Sequence, residues 1–358
     1  MKVFYKALSI IIILSFALNF TACSFSKEAS EEVSNLPHYS QVTALENKGE
    51  NSEVYKIENE DLYKIGTIES LLGLTYNSKN QIYVYTENIS KGQNFNHNKI
   101  TIIKDNRKKE LKDFYSALDT KLSPTGDKLA FRSFKEDSRE SAEGMKIYDI
   151  KKSKYISLKS KVLVSGNLYE WISDNKIIYY GSVEGKSNSD KIYSYDLDSN
   201  KEEVYLDNTN GYCLNFTPIG NNILFISSQG NSQSVYYFDS EKNTTKSIAT
   251  NVTSIIRSAA NYQNGEAFFI GSEGDEKQMA VYKFSTKDLE IQRLTYDFPK
   301  ELDEDSEIAM DVQGNIYFCG MDETNQENSL DVYMYDRKEG SINLISTHKG
   351  KYNVYSSG

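Results

Sequence analysis

Carboxylates crowd one stretch of this 358-residue sequence. Glu273, Asp275, Glu276 and Lys277 together carry −2. Asp297, Lys300, Glu301, Asp303, Glu304, Asp305 and Glu307 carry −5, and Asp322, Glu323, Glu327 and Asp331 carry −4. Carboxylates this dense repel one another, and two chemistries would relieve them. A hard cation such as Ca²⁺ takes about six to eight oxygens, and the run 301–307 offers several from one segment. A basic protein partner would be drawn by the same field without fixed geometry. The bland reading is a solvated acidic surface. No metal is assigned from the spacing alone.

Other chemistry-bearing residues are sparse. His38, His97 and His348 fall in unrelated loops with no partner at ligand or general-base spacing. Asp196-Leu-Asp-Ser-Asn200 places oxygens at alternate positions like the start of a calcium loop, but it lacks the Gly and the terminal Glu and reads as a hairpin turn. Cys213 and Cys319 lie in different repeats without metal spacing and are expected as two free buried thiols. No catalytic residue is assigned. Paired carboxylates converging from several repeats are still compatible with the spacing, as in glycosidases.

The elements that would position these groups repeat. Apolar strands at 81–85, 128–132, 176–180, 222–226, 266–270 and 315–319 each follow a turn rich in Gly or Asn and precede a Tyr-rich strand. Ile82 to Ile316 is 234 residues in five steps, about 47 per step, the period of a four-stranded propeller blade. The apolar runs do not alternate, as expected of sheets covered on both faces. The fold class is therefore all-β, a β-propeller.

Blade count rests on the ends. Segments 41–45, 54–57 and 62–65 read as strands B, C and D of a blade that lacks strand A, while 352–355 reads as a strand A that lacks a blade. Joining them gives seven blades with no open edge. Six blades with frayed ends is the alternative. A monomer is expected.

Leu122-Ser-Pro-Thr-Gly-Asp-Lys-Leu-Ala-Phe131 resembles the repeat of TolB-like (WD40-like) propellers, Trp-Ser-Pro-Asp-Gly-Lys-x-Ile-Ala-Phe. Weaker copies begin at Ile172 and Phe216. The resemblance implies an exported propeller that binds proteins or peptides. TolB's own N-terminal α/β domain has no counterpart, so its partnership is not carried over. Propeller peptidases resembling prolyl oligopeptidase add a hydrolase domain with a Gly-x-Ser-x-Gly elbow, and that motif is absent. The Ser-x-Asp-x-Gly-x-Thr-Trp box of sialidase-like propellers is absent too, the one Trp being Trp171.

Residues 1–22 read as a signal peptide: Lys2 and Lys6, then an apolar run over 7–20, too short for a typical span. Phe20-Thr-Ala-Cys23 looks like a bacterial lipobox, with Phe where the family usually has Leu. It implies lipidation of Cys23 and a lipid anchor, with 23–37 as a flexible tether and 38–358 as the propeller. Without residues 1–22 the chain loses two lysines and no acids, so its net charge moves from −10 to −12, and nucleic acid is an improbable partner. The basic run 104–109 reads as a solvated hairpin.

These readings converge on a non-enzymatic, lipid-anchored, extracytoplasmic propeller that binds an envelope protein, peptide or glycan without a cofactor. A propeller hydrolase or lyase acting on envelope polysaccharide, or an accessory subunit of a membrane complex, is the rival.

Overall fold

A computed structural model describes residues 31–32, 38–275, 278–322 and 329–358. Seven antiparallel sheets form a ring of blades. Blade 1 combines Tyr352–Ser356 with Val42–Asn47, Asn51–Glu58 and Asp61–Glu69. Blades 2 to 6 are continuous, with innermost strands A at Leu71–Asn77, Ser116–Leu122, Val162–Ser173, Tyr212–Ile219 and Val252–Asn261. In blade 7, strand A is split into Glu301–Leu302 and Ala309–Met310, both paired with Ile316–Met321. Among the described residues the one helix is a short 3-10 turn, Arg139–Ser141, and no helix is long and apolar enough to cross a membrane.

The sequence pattern accounts for this ring. Each strand B is buried along most of its length, as in Glu266–Glu273 and Asn222–Gln229, because both faces of the sheet are covered by neighbours. The core is divided accordingly. Seven apolar clusters each join two adjacent blades, from Tyr39, Leu45 and Tyr83 between blades 1 and 2 to Val42, Cys319 and Val354 between blades 7 and 1. Cys213 and Cys319 are both free and buried in these clusters. Burial pushes both thiols up to about 12, so neither is a nucleophile at neutral pH.

Closure follows the expected three-plus-one pairing. Val42 to Glu46 face Ser356 to Tyr352 in antiparallel register. Tyr76 of blade 2, fully buried, brings its phenol within 3.1 Å of Gln41 O, Thr43 Oγ1 and Tyr355 O, so it bridges the seam between the two chain ends.

The consensus turn of blade 3 stitches blades together. Asp174 accepts from the Thr125 backbone N–H (2.8 Å) and hydroxyl (2.7 Å), and Asn77 donates to Pro124 O at 2.9 Å. Its residues therefore serve the fold. The run 196–200 is a hairpin turn, with Asp196 accepting from Ser199 N. His97 lies at the start of strand C of blade 2 and not in a loop, stacked on Tyr115 at 4.9 Å.

One departure concerns the tether. Glu31–Glu32 forms a fifth, outermost strand on blade 2, opposite Lys108 and Arg107. The basic run 104–109 is thus the end of strand C, a tight turn and the start of a strand D that carries this acidic addition.

Candidate functional site

The innermost strands meet around a channel of about 800 Å³ lined by residues from all seven blades. Six of the seven strands A are bulged or split. Their pairing with strand B skips Leu72, Asp119 with Thr120, residues 165–168 and Ile172, Leu214, Thr253 and Ile256, and residues 303–308. An extra residue in one strand increases local twist and re-aims side chains. Here it turns strand interiors toward the axis.

The largest bulge divides the acidic run 301–307, which the sequence presents as one segment. In the structure Glu301 is already in strand A, opposite Met321, and 303–308 leaves the ladder before Ala309 re-enters it. Buried Leu302 and Ile308 pin its two ends, and Asn353 Oδ1 accepts from Ser306 Oγ and Glu307 N, each at 3.0 Å. Asp305 and Glu307 thereby line the channel. Glu304 is exposed and Asp303 half-buried on the same bulge.

Glu273, Asp275 and Asp322 stay on the loop side, with Glu273 3.9 Å from Arg293 Nη1. Glu276 and Glu323 lie outside the described residues, as does Cys23. Among the described residues no three of His, Cys, Asp and Glu come together as a metal-binding group.

The channel wall carries charges of both signs. Arg257 of blade 6 places Nε 3.3 Å from Glu307 Oε1. Lys121 of blade 3 pairs with Glu170 of blade 4. Asp119, at φ +55°, sits on the blade 3 bulge, where Asp tolerates the left-handed region. Arg132 Nε and Nη2 both reach its Oδ2 at 2.6 Å. Blade 4 holds that bulge in place: Tyr169 donates to Asp119 O at 2.5 Å, and Trp171 Nε1 donates to Lys121 O at 3.0 Å.

Water reaches Glu307, whose side chain is 50% exposed. Desolvation by the surrounding channel wall holds its carboxyl above the usual range against the pull of Arg257 and Lys121, with Glu170 and Asp119 adding repulsion. Asp303 is raised as well, by burial, against the hydrogen bond it accepts from Asp305 N and with the Asp305 carboxylate adding repulsion.

Asp119, Lys121, Glu170 and Arg257 do not stand out in the sequence, where charge is densest at 297–307. Their signal was charge placed inside strands A.

Comparison with known families settles the lineage of this ring. The profile of the prolyl oligopeptidase N-terminal β-propeller domain matches residues 75–351. The chain belongs to that family. A search of curated proteins finds no match. Among solved structures, this family member is similar to TolB from Acinetobacter baumannii (13% identity, 87% of this chain and 81% of that one, TM-score 0.48). It is similar to the acylaminoacyl peptidase of Pyrococcus horikoshii (15%, 78% and 46%, TM-score 0.54) and to an oligogalacturonate lyase solved with manganese (11%, 89% and 86%, TM-score 0.56). At these identities the likeness is one of fold. This propeller chain spans under half the length of the archaeal peptidase.

Proposed function

We propose that the chain is a non-enzymatic binding propeller, held at the outer face of a bacterial cytoplasmic membrane by lipid on Cys23, whose axial channel receives an envelope protein segment, peptide or glycan. The observation that carries this reading is the channel wall. About 800 Å³ is within the range of small-ligand and peptide-segment sites. Its carboxylates and cations sit on bulges or beside them, and neighbouring blades fix the bulges of blades 3 and 7, so a polar ligand meets partners already placed and little ordering cost is incurred on binding. An apolar ligand would desolvate the Arg257–Glu307 and Lys121–Glu170 pairs without offering them hydrogen bonds.

The test compares the full chain with an Arg257→Gln, Glu307→Gln double variant, which leaves net charge unchanged. A component captured from envelope extract by the wild type should fall about tenfold or more with the variant, the loss expected for removing polar contacts worth about 1.4 kcal/mol. Identical capture by both proteins would rule out the channel as the site. The anchor is checked separately by metabolic labelling with a fatty-acid analogue. Cys23→Ala should abolish the label, and equal labelling of both proteins would refute lipidation.

A further inference from the structure

Blade 3 has a truncated outermost strand. Its strand C, Ala142–Asp149, is paired with strand B on the inner side along its length. On the outer side strand D, Lys154–Ile156, reaches only Ile147, Tyr148 and Asp149. Residues 142–146 are left with no strand on that edge. In blade 4 strand D pairs with strand C from Ile192 to Asp196. In blades 6 and 7 the Leu294 and Ile345 N–H groups carry the ladder on to Val281 O and Val332 O, each at 2.8 Å. Among the described residues the gap in blade 3 is the longest in the ring.

A groove of about 510 Å³ runs along this open edge. Consecutive residues of strand C, 143–147, line it, so the backbone edge itself forms one wall. The facing wall is Leu158 and Ser160 of the connection to blade 4, with Val162, Leu163 and Val164 at the start of the next strand A. That connection leaves the edge because blade 4 holds it: Lys159 N donates to Tyr195 Oη at 2.9 Å, and Ser160 Oγ donates to Glu202. Met145 and Ile147 turn toward blade 4 and join its apolar cluster. Lys146 lies on the other face of the strand, its ammonium 5.8 Å from the centre of the Tyr155 ring.

The vacant ladder calls for an extended main chain, because unpaired strand edges template another strand. The aliphatic wall calls for apolar side chains at alternate positions of that strand. Charge supplies the rest. The connection 157–161 carries Lys159 and Lys161 and no acid, and among the described residues neither lysine has a carboxylate partner. Glu143, the one acid along the described groove wall, is already engaged by Lys146 Nζ at 2.7 Å and Ser133 Oγ at 2.9 Å. Blade 2 next door shows that an acidic segment can be added in this way, since Glu31–Glu32 pairs outside its strand D, opposite Lys108 and Arg107.

We propose that an extended peptide with aliphatic side chains at alternate positions and net negative charge adds to residues 142–146 as the missing part of strand D. Its main chain completes the ladder, and its aliphatic side chains enter the groove. Such augmentation takes affinity from main-chain hydrogen bonds and specificity from pockets for alternate side chains. The groove shares no lining residue with the axial channel, so this site stands or falls apart from the channel.

The experiment titrates the full chain with the end-capped peptide Glu-Val-Glu-Val-Glu-Val-Glu. The controls are a peptide of the same composition with its Val residues consecutive, and the alternating peptide with Lys in place of Glu. Calorimetry gives affinity, and hydrogen exchange reports the amides of 142–146. The alternating acidic peptide should slow exchange of the outward amides about tenfold or more and bind about tenfold or more tightly than either control. Leu158→Asp, which sets a charge in the groove, should weaken it by about tenfold or more. The Lys159→Gln, Lys161→Gln variant changes only exposed side chains and should weaken binding several-fold while reducing its salt dependence. The Arg257→Gln, Glu307→Gln channel variant should bind the peptide as the wild type does. Unslowed exchange at 142–146, equal binding of all the peptides, unchanged binding by Leu158→Asp, or loss of binding in the channel variant would each overturn the proposal.

Discussion

Deletion of residues 350–358 should cost on the order of 5 kcal/mol or more and leave little or no cooperative melt. The lost strand buries Tyr352 and Val354, 2% and 0% exposed, and full burial of such side chains stabilises by about 1.5–3 kcal/mol each. Its removal also uncovers Val42, Ala44 and Cys319, which pack on it, and orphans the ladder groups of Val42–Asn47. Ordinary domains have about 5–15 kcal/mol in total, so the ring would open. A milder variant keeps the idea testable if the truncated chain fails to accumulate. Tyr352→Ala should lose about 3–5 kcal/mol through the cavity it leaves, read by denaturant unfolding. An unchanged midpoint in either protein would mean that the seam is not held by this strand.

That seam was legible from sequence because its signal is a count. A blade with strands B, C and D but no A, and an A with nothing after it, can be matched without knowing any contact. The strands B were legible for a related reason: burial on both faces writes a continuous apolar run such as 222–226. The channel was not legible in the same way. A bulge has no composition of its own, and nothing in Asp303-Glu-Asp-Ser-Glu307 distinguishes a connection between blades from a strand that leaves its ladder and returns. Pairing decides it, through Glu301 opposite Met321 and Ala309 opposite Tyr317. The ion pairs that cross between blades, Lys121 with Glu170 and Arg257 with Glu307, join residues about one repeat apart. Only the ring's geometry places them together.

Glu266→Gln should lower stability by about 2–3 kcal/mol at neutral pH, and the gap should close in acid. Glu266 starts strand B of blade 6 with its side chain 10% exposed. It takes Lys283 Nζ at 2.7 Å from its own blade and Arg337 Nη2 and Nε at 3.0 and 3.1 Å from the C-to-D turn of blade 7. Arg337 can lie across that contact because Gly314, at φ +85°, presents no Cβ; one built there would come 2.9 Å from Arg337 Cδ. Breaking a fully buried pair costs about 3–5 kcal/mol. Both cations keep some water, which lowers the expected cost. Burial alone would push the Glu266 carboxyl up, but the hydrogen bonds from Lys283 and Arg337 outweigh it and hold the group below its ordinary value of 4.5. A carboxylate depressed in the folded state contributes its full stability above the unfolded value and loses it as pH falls through the folded one. The difference between wild type and variant should therefore be constant above about pH 5 and shrink progressively below 4.5. Denaturant unfolding across that range measures it. A gap independent of pH would mean that the variant acts through packing and not through charge, and a gap under about 0.5 kcal/mol at pH 7 would place the pair among ordinary surface salt bridges.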